Sequence, residues 1–79
     1  MRNVNLAHAK REAAEILSDQ ISRRGEPSPC SYATLEDFND AVLGKAREYL
    51  GGDVYSDSVI ELTARRYAAE DWAAWLEAE

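Results

Sequence analysis

Two breaks in the chain decide most of what it can become. Gly25 with Pro27 and Pro29 forms the first, and the pair Gly51-Gly52 forms the second. Proline removes a backbone donor and pushes the residue before it out of the helical region, while glycine costs a helix interior about 1 kcal/mol. Around these breaks apolar residues recur at intervals of three and four, the period of an amphipathic helix. No stretch alternates with the period of two that a half-buried strand needs. The expectation is an all-α fold: a compact three-helix bundle, one domain over 1–79, with helices near 6–24, 35–50 and 59–77.

In the first helix Leu6, Ala9, Ala13, Ile16, Leu17 and Ile21 share a face. Asn3 or Asn5 supplies an N-cap, Arg23 and Arg24 complement the macrodipole in the last turn, and Gly25 follows as the stop. Thr34 caps the second helix, Glu36 and Asp37 occupy its first turn, and Leu35, Phe38, Val42, Ala46 and Tyr49 form its apolar stripe. Ser58 and Glu61 have the spacing of a capping box and open the third. That helix is apolar over most of its circumference. Ile60, Ala64, Tyr67, Ala68 and Trp75 make one face, and Leu62, Ala69, Trp72, Ala73 and Leu76 make another. The strip with Thr63, Arg66, Glu70 and Glu77 reads as its polar side. Such a helix lies between neighbours or against something else.

Length sharpens that point. A chain of 79 residues buries only about 60% of the surface its unfolded form exposes. Small domains supplement a thin core with disulfides, metals or association. One cysteine, Cys30, excludes an internal disulfide, and one Cys with one His, His8, cannot build a structural zinc site. Either the helices pack very well, or a second copy or a partner covers leftover apolar surface, and the second is the expectation. Leu62, Ala69, Trp72 and Leu76 are the candidate surface for a homodimer or a partner, since tryptophan on an open helix face is costly unless covered; the equal alternative is core packing, with Trp72 on one neighbouring helix and Trp75 on the other.

The lone thiol suits a reducing compartment, and no apolar run approaches the roughly 18 residues of a membrane span. The N-terminus lacks the apolar core of a signal peptide. The expected location is the cytoplasm, and the preference for Arg over Lys with thirteen Ala suggests a bacterial host or its phage.

Net charge is −6 and uneven. Residues 1–24 hold five basic and three acidic side chains, residues 25–58 two and seven, and residues 59–79 two and five. Such a chain repels phosphate backbones, so direct nucleic-acid binding is disfavoured, and the pairs Arg23-Arg24 and Arg65-Arg66 are too few for a recognition helix. The same field attracts a basic groove on another protein. Glu36, Asp37, Asp40 and Glu48 form an acidic stripe on the second helix, with Asp53 and Asp57 after it. Glu12, Glu15 and Asp19 on the first helix extend the candidate surface. Glu70, Asp71, Glu77 and Glu79 crowd the end of the third.

Chemistry is harder to find. His8 shares a side with Glu12, Glu15 and Asp19, but carboxylates at helical spacing are what any solvated face carries. Cys30 sits in a loop without a base near it in sequence, and a nucleophilic cysteine needs one. The expectation is no catalytic residue, no cofactor and no metal.

The stretch Asp57-Ser58-Val59-Ile60-Glu61-Leu62 resembles the start of the second helix in acyl carrier proteins, where a serine carries phosphopantetheine. The resemblance covers six residues. Its Glu-Leu follows the Asp-Ser too soon, and too little chain remains for the helices that should come after. Ser58 therefore reads as a cap. In overall character the chain is similar to the small acidic inhibitors that phages and plasmids direct at nucleases and CRISPR complexes, and to bacterial immunity proteins. What this implies is a non-catalytic module that docks on a basic nucleic-acid-handling protein. The alternative is a homo-oligomeric structural or adaptor protein.

Overall fold

The computed structural model describes residues 6–51 and 54–78, so Asn3, Asn5, Gly52, Asp53 and Glu79 lie outside the described residues. Three α-helices form within them: α1 (Leu6–Arg24), α2 (Leu35–Leu50) and α3 (Asp57–Ala78). A single 3-10 turn, Pro29–Ser31, interrupts the α1–α2 connection, and no strand occurs among the described residues. None of these helices is long and apolar enough to cross a membrane.

Local chemistry sets the helix ends. Gly25 closes α1 in the left-handed region (φ +75°), with its N–H donating to the Ile21 carbonyl at 2.7 Å. Thr34 caps α2, its Oγ1 accepting from the Asp37 N–H at 3.1 Å. At the other end Gly51 stops α2 where a Cβ would run into the Arg47 carbonyl. The start of α3 corrects the expected capping box. Ser56, not Ser58, is the cap, with its Oγ accepting from the Val59 N–H at 3.3 Å and its carbonyl from the Ile60 N–H at 3.0 Å. The helix thus begins two residues early at Asp57, whose carboxylate suits the positive end of the dipole. Glu61 instead reaches across to Arg47, 3.6 Å from its Nη2.

The core is a cluster of Ala13, Leu17 and Ile21 from α1, Phe38, Val42, Ala46 and Leu50 from α2, and Val59, Ile60, Ala64 and Ala68 from α3. Burying a side chain such as Phe38 or Leu17 contributes about 1.5–3 kcal/mol. The buried row on α2 steps by four residues from Phe38 to Leu50. This slanting ridge drifts around the helix, so Leu50 enters the core while Leu35, expected in the stripe, stands 40% exposed.

Helices α2 and α3 run antiparallel, as the Arg47–Glu61 pair at one end and the Phe38–Trp72 contact at the other require. Helix α1 runs in the same sense as α3, with Glu12 beside Tyr55 and Ile21 near Tyr67. The Arg24 guanidinium lies over the Tyr49 ring, 5.2 Å from its centroid, and joins α1 to α2. The proline loop is more than a connector. Pro27 and Pro29 are buried, and the 3-10 turn packs on both α2 and α3.

Two expectations for α3 are revised. Thr63, read as part of the polar strip, is 5% exposed, because it sits one turn from Ile60 and Tyr67 on the side facing α1. Trp72, read with Leu62, Ala69 and Leu76, turns inward to the core instead. At about 100° per residue it stands well to one side of those three, close enough to the α2 seam for its ring to reach Phe38.

Candidate functional site

An aromatic row occupies one end of the bundle. Tyr32 lies 5.8 Å from Phe38, Phe38 lies 5.9 Å from Trp72, and Trp72 lies 5.0 Å from Trp75, centroid to centroid. All three are tilted pairs, with centroids inside the range of about 4.5–7 Å usual for aromatic contacts. Sequence spacing joins Trp72 to Trp75 but carries no signal for Tyr32, whose place depends on the proline loop folding inward.

The acidic residues of α2 stand at this same end. Glu36, Asp37 and Asp40 are exposed, and none has a basic side chain within 4 Å among the described residues. Glu48, at the far end of α2, pairs with Lys45 at 3.7 Å. The stripe therefore divides into an open acidic group and a locally compensated carboxylate.

The carboxylates of α1 go elsewhere. Glu12 accepts a hydrogen bond from the Tyr55 hydroxyl at 2.6 Å, and Asp19 is bound by Arg23 Nε at 2.8 Å. Glu15 and Asp19 line a groove between α1 and α3 together with Lys10, Arg11, Arg65 and Arg66. Mixed charge in that groove separates them from the open acids of α2.

The hydrogen bond to Glu12, then burial, then the nearby negative charge push the Tyr55 hydroxyl up to about 12. Near the proline loop, Ile21, Tyr67, Asp71 and Trp75 line a shallow recess. Burial pushes the Asp71 carboxyl above the usual range. Burial and then the Asp71 charge raise the Tyr67 phenol.

Leu62, Ala69 and Leu76 face solvent along the outer side of α3, with Leu62 46% and Leu76 53% exposed. Cys30 is exposed beside Ser28 Oγ at 3.3 Å, and His8 is exposed on α1. Among the described residues no three His, Cys, Asp or Glu side chains converge as a metal site would need.

The arrangement exposes carboxylates on α2 and aliphatic side chains on α3. Compared with protein-family models, curated proteins and solved structures, the chain matches none.

Proposed function

We propose that the chain is a non-catalytic protein-binding module whose acidic α2 surface occupies a basic, nucleic-acid-binding surface of a target protein. It would work in the manner of the small anti-nuclease and anti-CRISPR inhibitors of phages and mobile elements. The observation that supports this reading is the group Glu36, Asp37 and Asp40, exposed and without basic partners among the described residues. Acids held on one rigid helix keep their spacing as they approach a row of lysines and arginines. Their field speeds encounter, and Leu35, 40% exposed next to Glu36, offers an apolar contact once docked. With a net charge of −6 the chain competes with a phosphate backbone and does not join it.

The test is capture from bacterial lysate after nuclease treatment, with the double variant Asp37→Lys/Asp40→Lys as control. The wild type should recover a basic nucleic-acid-handling protein. Added duplex should displace it, and rising salt should weaken it. The variant should lose at least about tenfold in affinity, the cost of roughly 1.4 kcal/mol, while keeping its helical spectrum. A variant that binds the same target undiminished overturns the reading.

A further inference from the structure

The shallow recess beside the proline loop has one wall made by α3. Tyr67, Asp71 and Trp75 form that wall. Spaced at intervals of four, they make a single slanting ridge with neighbouring Cβ atoms about 5–6 Å apart, so the carboxylate lies between two aromatic rings. Ile21, Pro27 and Pro29 form the other wall, and all three are buried and apolar. Ser28 joins them, its hydroxyl against Cys30 Sγ at 3.3 Å.

Asp71 is the one charged residue lining the recess, and it has no partner. Its carboxylate makes no hydrogen bond and no ion pair among the described residues. Helix α3 offers it none, since the positions one turn to either side hold Tyr67, Ala68, Ala74 and Trp75. Arg24, next to Gly25 at the rim, is held over the Tyr49 ring instead. Partly buried yet unpaired, the carboxylate loses hydration and recovers nothing from the fold, and burial disfavours its charged form. A cation brought to it would offset that cost. The walls are already in place. Trp75 is braced by Trp72 at 5.0 Å, centroid to centroid, and Tyr67 packs against the core.

We propose that this recess takes the guanidinium of an arginine presented by a partner protein, paired with Asp71 and stacked on the neighbouring aromatic ring. That occupant rests on the reading above, in which the partner is basic. A guanidinium fits for three reasons. It is flat, as an open recess requires. It offers two parallel N–H groups to a carboxylate while its face lies on a ring, and it gives up hydration more readily than an ammonium. A lysine head is a compact, strongly hydrated charge that loses more on entry. A quaternary ammonium wants aromatic walls on several sides, and here the wall facing the rings is aliphatic. The recess also opens at the end of the bundle that carries Glu36, Asp37 and Asp40, whose field draws cationic groups toward it.

The test needs no target. N-acetylarginine methylamide is titrated into the labelled full chain, and the Trp75 indole and the Gly25 and Asp71 amides are followed by NMR. Their signals should shift together and saturate, with a half-point on the order of 10 mM, as befits one residue taken without its protein. N-acetyllysine methylamide at the same ionic strength should bind at least about threefold more weakly. Asp71→Asn keeps the shape and removes the charge, so it should retain its helical spectrum and weaken arginine binding by about tenfold. Trp75→Ala, read on the two amides, should also weaken it, while Trp75→Phe should largely preserve it. No saturable shift at these positions overturns the proposal, as does equal binding of the lysine probe or undiminished binding by Asp71→Asn. Failure here is distinct from failure of the acidic surface. A flat titration, beside target capture that still depends on Asp37 and Asp40, removes the recess alone. A saturable, Asp71-dependent titration, beside capture indifferent to those two residues, supports the recess and removes the α2 surface.

Discussion

The Tyr55 hydroxyl donates to Glu12 Oε1 at 2.6 Å, bridging two residues 43 positions apart and fastening the entry to α3 onto α1. A short bond from a phenol to a carboxylate is stronger than a neutral pair. Because the bond is lost when the phenol ionises, the folded chain holds its proton more tightly than the unfolded one.

The pH dependence follows with a definite sign. Tyr55 is raised from 10.0 to about 12 in the folded state. Between those values the folded form binds more protons, so its contribution is full below pH 10 and is lost as pH rises toward 12. Tyr55→Phe should cost about 1 kcal/mol at neutral pH, discounted for partial exposure. It should also flatten the alkaline limb of the denaturation curve. Tyrosinate absorbance, read as the difference between the two proteins, should place the missing phenol near 12. A difference titration centred near 10 would show that the bond does not form in solution.

The aromatic row gives a second expectation. Phe38 is fully buried between Tyr32 and Trp72, so Phe38→Ala should destabilise by about 3–5 kcal/mol. Trp72 is only half-buried, and Trp72→Ala should cost less, about 2–3 kcal/mol, with loss of near-ultraviolet dichroism. Chemical denaturation measures both. If Trp72→Ala leaves the midpoint unchanged, the ring is not packed on Phe38.

Much of this architecture is legible in the residues. The caps at Thr34 and Gly25, the prolines, and the stripes of α1 and α2 mark the first two helices, because those signals act within one turn of the chain. What escapes is tertiary. Ser56 and Ser58 are both able to cap in isolation, and the earlier start goes with Val59 and Ile60 both entering the core. The open acids of α2 can be read from their spacing, but the separation of Glu15 and Asp19 from them depends on which side of α1 faces α3. The two apolar faces of α3 are visible as a pattern. Which of them the other helices cover depends on where the neighbouring ridges fall.

Thr63 supplies a stabilising substitution. Its Oγ1 is buried without a hydrogen-bond partner, so it loses water and gains nothing in return. Thr63→Val keeps the shape and removes the polar atom, and should raise stability by about 1 kcal/mol. For a domain of this size that corresponds to roughly 4–8 °C in Tm. Calorimetry showing a fall instead would mean that the hydroxyl is satisfied in solution.

The thirteen alanines of this chain are chemically one residue, yet the fold sorts them into different kinds of position. Ala13, Ala46, Ala64 and Ala68 have no accessible surface to speak of, and a single added methylene there pushes helices apart. Ala14, Ala33, Ala74 and Ala78 lie open to water. Under random mutagenesis the first group should therefore tolerate almost nothing larger than glycine or serine, while the second drifts freely among polar residues. A chain that looks compositionally monotonous would then show, position by position, where its helices touch.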